Sequence, residues 1–272
     1  LSLPVFIKWD DSEFGLRARE AGYPTVSLPG AAVWHVPWTD KNDGLDWQSY
    51  FHQRNRFVAA LCHSVYPKGG RMVLESFNHQ IKHLASLQYS IAEMRHKALE
   101  DVLAGPERLH AELGTKLPEV NAFRKQFVDA QLHTDRDELP PVRRAKPPKK
   151  GKDDIEIPSG LGVKLTALMA PVRQLRPVRK MSREFPETEL TAMDASWVNL
   201  VKYDSVVVSM NDGSSVALYQ RDPEKYRDLL KRTVAMHRRL HREWPELAKR
   251  YRDALGEVTA PETWAKTFGV EE

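Results

Sequence analysis

Apolar positions along this chain recur with two periods, and the changes between them mark out its elements. A short apolar run at 5–7 predicts a buried strand. The spacing then turns helical over 12–21, with Phe14, Ala18 and Ala21 on one face and Gly22 and Pro24 as the stop. Asp10 or Asp11 stands where the N-cap of that helix belongs, and Glu13 follows Asp10 at capping-box distance. Runs at 25–28 and 31–36 read as short strands around a Pro29-Gly30 turn, so the segment has the strand–helix–strand order that closes an α/β domain.

From position 46 the pattern is helical. Trp47, Phe51, Val58 and Leu61 form an apolar stripe opposed by Gln48, His52, Asn55 and Arg56. A longer periodic run over 71–103 predicts one long helix that Gly105-Pro106 ends, and 107–113 and 119–128 supply shorter ones. The Pro- and Lys/Arg-rich stretch 135–154 reads as an extended or flexible linker. Beyond it, 163–169, 197–203, 206–210 and 215–219 suggest strands, with Asn211-Asp212-Gly213 as a hairpin turn. Asp222-Pro223 caps a helix over 224–244, which Pro245 should interrupt before 246–255 continues. The resulting division is 1–45 as part of an α/β catalytic domain, 46–134 as a helical region packed on it, 135–154 as linker, and 155–272 as an α+β domain suited to oligomerisation.

The length of 272 residues supports one large or two modest domains with real cores. The chain opens at Leu1 and reaches an active-site-like motif within ten residues, which predicts a C-terminal piece of a longer protein. One cysteine, Cys62, rules out an intramolecular disulfide. No apolar run is long enough to span a bilayer. The net charge of +4 is uneven: positions 136–180 hold twelve Lys/Arg against five Asp/Glu, leaving about −3 for the rest. Such a stripe fits an anionic surface or a merely solvated linker. No recognised nucleic-acid-binding motif accompanies it, so no nucleic-acid partner is expected.

The candidate chemistry lies in Trp9-Asp10-Asp11-Ser12-Glu13-Phe14 and Trp34-His35-Val36-Pro37-Trp38. Carboxylates beside aromatic faces suit a site that covers the C–H surface of a sugar and deprotonates one of its hydroxyls. One of the two aspartates is also a natural helix cap, and both cannot fill one cap. A lone histidine at a strand end is more often structural than a metal ligand, and His35 would need ligands from elsewhere. His52, Arg54 and Asn55 could reach phosphate oxygens or sugar hydroxyls, or simply form a polar helix face. The pairs His79/His83 and His237/His241 have metal-ligand spacing but no third ligand, and read as packing residues.

These blocks, with Gly22-Tyr23-Pro24 and Tyr50-Phe51-His52-Gln53-Arg54-Asn55-Arg56, resemble the C-terminal half of the galactofuranosyltransferases, inverting GT-A enzymes of glycosyltransferase family 2 that polymerise cell-wall galactan. The resemblance implies transfer of galactofuranose from UDP-galactofuranose to a lipid-linked galactan acceptor. It implies Asp11 as general base, Asp10 as a residue that positions the acceptor, and His35 as a ligand of Mn²⁺ or Mg²⁺. Trp9, Trp38 and His52 would line the acceptor pocket, with Glu13 and Arg54 beside them. It further implies a homotetramer held peripherally on the cytoplasmic face of the plasma membrane. No Asp-x-Asp metal motif of the family stands ahead of or within these blocks, so the donor site is expected elsewhere and the chain alone is expected to be inactive. The competing readings are a family 2 transferase for another sugar, such as rhamnose, and a non-catalytic basic module that docks on membrane.

Overall fold

The computed structural model describes residues 1–30, 47–143 and 160–270. Its helices in chain order are α1 (Asp10–Glu20), α2 (Gln48–His63), α3 (Met72–Ala85), α4 (Tyr89–Ala104), α5 (Leu109–Glu112) and α6 (Lys116–Arg124). After these come α7 (Leu161–Leu175), α8 (Lys180–Glu184), strand β1 (Thr188–Thr191), α9 (Trp197–Leu200), β2 (Ser205–Ser209) and β3 (Val216–Gln220). The 36-residue α10 (Pro223–Val258) and α11 (Pro261–Phe268) follow. The fold is therefore helix-rich and mixed, with one small sheet among the described residues.

The periodic stripes converge on α10, which packs against α2, α3 and α4. Phe57 and Leu61 from α2, Val73 from α3, Leu99 and Val102 from α4, and Leu240, Trp244, Leu247 and Tyr251 from α10 share one buried core. Leu3 and Val5 insert into the same core. A second cluster lies on the sheet, where β1 runs parallel to β2 and β3 antiparallel to it, pairing Thr188 with Val206 and Val207 with Leu218. The Asn211-Asp212-Gly213 turn forms as its residues predict, with Gly213 at φ 70° and Met210 N–H bonded to the Ser215 carbonyl at 2.9 Å.

Several expectations are corrected. The long helix over 71–103 is two helices, because Leu87 turns into the left-handed region (φ 61°) and buries its side chain in the sheet cluster. The apolar run at 163–169 is part of helix α7, not a strand; its Leu, Met and Val residues belong to a 3.6-residue repeat that extends beyond that window. Residues 197–200 are also helical, and the partner that β2 takes is β1, which alternation along 197–203 had obscured. The helix α10 runs straight through Pro245. A break there would withdraw Trp244, Leu247 and Tyr251 from the core, which outweighs the roughly 3 kcal/mol a helical proline costs. Trp244 is so closely seated that a Cβ on Gly69 would lie 2.8 Å from its ring.

The strands expected at 5–7 and 25–28 do not pair with any described strand. At 25–28 every residue is exposed. Around residues 6–8 the carbonyls are taken by the Asn55 side chain rather than by a neighbouring strand.

Candidate functional site

The acidic motif opens α1 on an unusual backbone. Ile7, Lys8 and Trp9 all lie in the left-handed region, at φ 41°, 70° and 68°. None is glycine, so each conformation is disfavoured and has to be held by its surroundings. The holder is Asn55 of α2, 1 % exposed, whose Nδ2 donates to the carbonyls of Phe6, Ile7 and Lys8 at 3.0, 3.0 and 3.1 Å. Arg54 fixes the amide's orientation, since its Nε donates to Asn55 Oδ1 at 3.0 Å.

This bend makes Trp9 the N-cap residue, and no side chain caps the helix. The expectation that Asp10 or Asp11 caps α1 is therefore corrected, as is the Glu13 capping box. Asp10 and Asp11 lie exposed on the first turn. Asp11 Oδ1 accepts from the N–H of the adjacent Ser12 at 2.6 Å and from its Oγ at 3.2 Å, which orients the carboxylate and takes up one first-turn N–H although Asp11 is not the N-cap residue. Trp9 flanks the pair: its ring meets the edge of His52 at 5.9 Å between centroids, and the Arg56 guanidinium stands 5.8 Å from the Trp9 centroid.

Glu13 faces inward. One of its oxygens accepts from Arg17 Nε at 2.8 Å and lies 2.9 Å from His63 Nε2, while His63 Nδ1 lies 3.1 Å from Glu20. Burial pushes the Glu13 carboxyl up, but the His63 and Arg17 hydrogen bonds and charges outweigh it and the net direction is down. The Glu13 hydrogen bond raises the His63 imidazole above its usual value. This pair clamps α1 onto the end of α2.

Arg54 is also buried. Its guanidinium lies 5.5 and 5.3 Å from the Tyr50 and Phe51 ring centroids and 3.9 Å from Glu112. Sequence placed Glu13 and Arg54 against substrate; here Glu13 clamps the helix and Arg54 orients Asn55, both from behind the exposed face. Trp9, Asp10, Asp11 and His52 come together on that face. His35 and Trp38 lie outside the described residues. Among the described residues no three His, Cys, Asp or Glu side chains gather as a cation site. His237 is a packing residue, with Nδ1 2.8 Å from the Thr233 carbonyl and Nε2 3.0 Å from Ser76 Oγ, and His83 bonds Gln88 at 2.8 Å. The residues that sequence reading did not single out as structural are Asn55, as anchor of the bend, and His63.

Comparison with known proteins bears on this geometry. Residues 72–270 match the family described as galactofuranosyltransferase-2, domain 3. Galactofuranosyltransferase GlfT2 of Mycolicibacterium smegmatis is 41 % identical over 270 residues, 99 % of this chain. The chain belongs to the galactofuranosyltransferase-2 family. Galactofuranosyltransferase GlfT2 of Mycobacterium tuberculosis is 39 % identical over 268 residues, 96 % of the chain. The chain spans 41 % of the length of each of these relatives. Within the family match, α3 through α11 fall in domain 3, while the acid pair and Asn55 precede residue 72 and are covered by the pairwise similarity.

Proposed function

We propose that the chain supplies the acceptor side of a galactofuranosyltransferase that transfers galactofuranose from UDP-galactofuranose to a lipid-linked galactan chain with inversion. The observation that carries this reading is the exposed Asp10–Asp11 pair, placed at a helix start yet not used to cap it. In the proposed reaction an acceptor hydroxyl attacks the anomeric carbon of the donor sugar as the bond to UDP breaks. Asp11 takes the hydroxyl proton on the carboxylate oxygen that Ser12 does not hold, and Asp10 positions the acceptor. Trp9, with His52 at its edge, covers the C–H face of the acceptor ring. Trp38 is assigned to the same pocket on its motif alone.

A divalent cation, Mn²⁺ or Mg²⁺, would neutralise the departing diphosphate, with His35 as one ligand. The described residues do not form a site that fits it. Assembly as a homotetramer belongs to the same proposal.

The test is transfer of radiolabelled sugar to a short galactofuranoside acceptor by the whole gene product with Mn²⁺. Incorporation from UDP-galactofuranose that vanishes in Asp11→Asn supports the reading. Incorporation only from another activated sugar, such as an activated rhamnose, keeps the base and changes the substrate. Unchanged transfer in Asp11→Asn removes Asp11 from the chemistry.

A further inference from the structure

A recess of about 530 Å³ opens at the end of α1 opposite to the acid pair. It lies where the C-terminal ends of α1 and α2 meet the middle of α10, and Glu20, His63, Tyr66, Trp244, Pro245 and Arg252 line it. Its volume is in the range of small-ligand sites.

The walls are firmly held. Arg252 of α10 donates from Nε to the Cys62 carbonyl at 3.0 Å and from Nη2 to the Ser64 carbonyl at 2.6 Å, which closes the end of α2. Glu20 Oε1 lies 3.1 Å from His63 Nδ1. Beyond α2 the chain turns on Gly69 and Gly70, both left-handed at φ 73° and 57°. Each glycine backs an aromatic ring. Gly69 lies against Trp244, and a Cβ on Gly70 would stand 2.9 Å from Cδ2 of Tyr66. The Tyr66 ring is thus seated on backbone and yet 63 % exposed. A ring fixed in this way is a platform that loses little rotamer freedom when a ligand stacks on it.

Charge and chemistry narrow the class of ligand. Glu20 and Arg252 cancel, so the lining favours neither a polyanion nor a polycation, and charged groups at the mouth oppose an acyl chain. An open aromatic face beside a carboxylate and a guanidinium suits a neutral polyhydroxy ring. The face covers C–H bonds, and the Glu20 carboxylate, whose side chain is 61 % exposed, accepts from hydroxyls. The Trp244 indole N–H is buried without a hydrogen-bond partner among the described residues, which leaves a further donor unused beneath the recess.

Glu20 follows Asp10 by ten residues on the same helix, a rise of about 15 Å. We propose that this recess is a second saccharide subsite, in which one galactofuranose residue of the acceptor chain stacks on Tyr66 while another residue of the same chain meets Asp11. The identity of the sugar rests on the transferase reading; the subsite itself rests on the recess.

The test uses the whole gene product and two galactofuranose acceptors, a disaccharide too short to span both positions and a hexasaccharide long enough to do so. In calorimetric titration without donor, Tyr66→Ala should bind the hexasaccharide about tenfold more weakly than the parent, with an unchanged melting curve. Tyr66→Phe should match the parent, because it keeps the ring face. In transfer assays Tyr66→Ala should raise KM for the hexasaccharide about tenfold at unchanged kcat, and leave KM for the disaccharide as it was. No hexasaccharide binding, or equal binding by Tyr66→Ala and the parent, overturns the proposal. So does a Tyr66→Phe variant as weak as Tyr66→Ala. Hexasaccharide binding that depends on Tyr66 in a protein that transfers no sugar would count against the transferase reading and leave the saccharide subsite standing.

Discussion

Two helices of this molecule begin beside aspartate and use it in opposite ways. At the start of α10, Asp222 is the N-cap: its Oδ1 accepts from the N–H groups of Glu224 and Lys225, both at 3.0 Å, and Pro223 fills the first turn. At the start of α1, two aspartates are present and neither caps. The chain enters α1 through three left-handed residues whose carbonyls are held by Asn55. Asp222 is spent on its own helix and contributes stability; Asp11 gives one oxygen to the Ser12 N–H and keeps the other available to a ligand. The contrast separates a structural aspartate from a candidate functional one more sharply than residue type or spacing can.

The largest effect that distinguishes the two regions is expected from pH. His96 of α4 and His237 of α10, both in the helical core, are pushed down by burial to about 3 and about 4. Their folded-state values lie below the unfolded one, so their contribution is complete above about pH 6.5 and is lost as pH falls toward the folded values. Each costs about 1.4 kcal/mol per pH unit in that window, or about 4 kcal/mol for the pair between pH 6.5 and 5. The α1 clamp has the other signs. His63 is raised, so its contribution is complete below about 6.5 and lost as pH rises through its folded value. Glu13 is lowered, so its contribution holds above the usual carboxylate range and is lost only in stronger acid. Urea unfolding should therefore weaken from pH 6.5 to 5 while hydrogen exchange in α1, referenced to the global rate, gains relative protection. Parallel loss in both regions would contradict the separation.

Next in size is Asn55→Ala, which removes the donor to three carbonyls and should cost roughly 2–3 kcal/mol in chemical denaturation. Asn55→Asp keeps the size but turns acceptors toward carbonyls, and should be no better tolerated. Smaller again is Asp222→Ala, at about 1 kcal/mol by the same measurement. Smallest is Asp10→Ala, which should stay within about 0.5 kcal/mol of the parent because it removes no cap.

How much of this was legible in sequence depended on the range over which each residue acts. The Asp222-Pro223 start and the Asn211-Asp212-Gly213 turn were readable because their hydrogen bonds close within a few positions. The break at Leu87 and the continuity through Pro245 were not, since each is decided by a side chain seated in a distant cluster. The helix at α7 was misread because a seven-residue apolar window carries either period. At the site, the acid pair was visible as a motif, and the resemblance it carries is matched by the family to which the chain belongs. That neither acid caps was hidden, because the reason is the Asn55 amide, 47 positions along the chain from the Lys8 carbonyl it holds.

The most direct measurement compares Asp11→Asn with its parent in two readouts, sugar transfer by the whole gene product and the midpoint of chemical unfolding. An aspartate reserved for the acceptor predicts a fall in transfer of about 10² to 10⁴ with no shift of the midpoint. A midpoint lowered as in Asp222→Ala, with transfer retained, would show that Asp11 serves its helix after all.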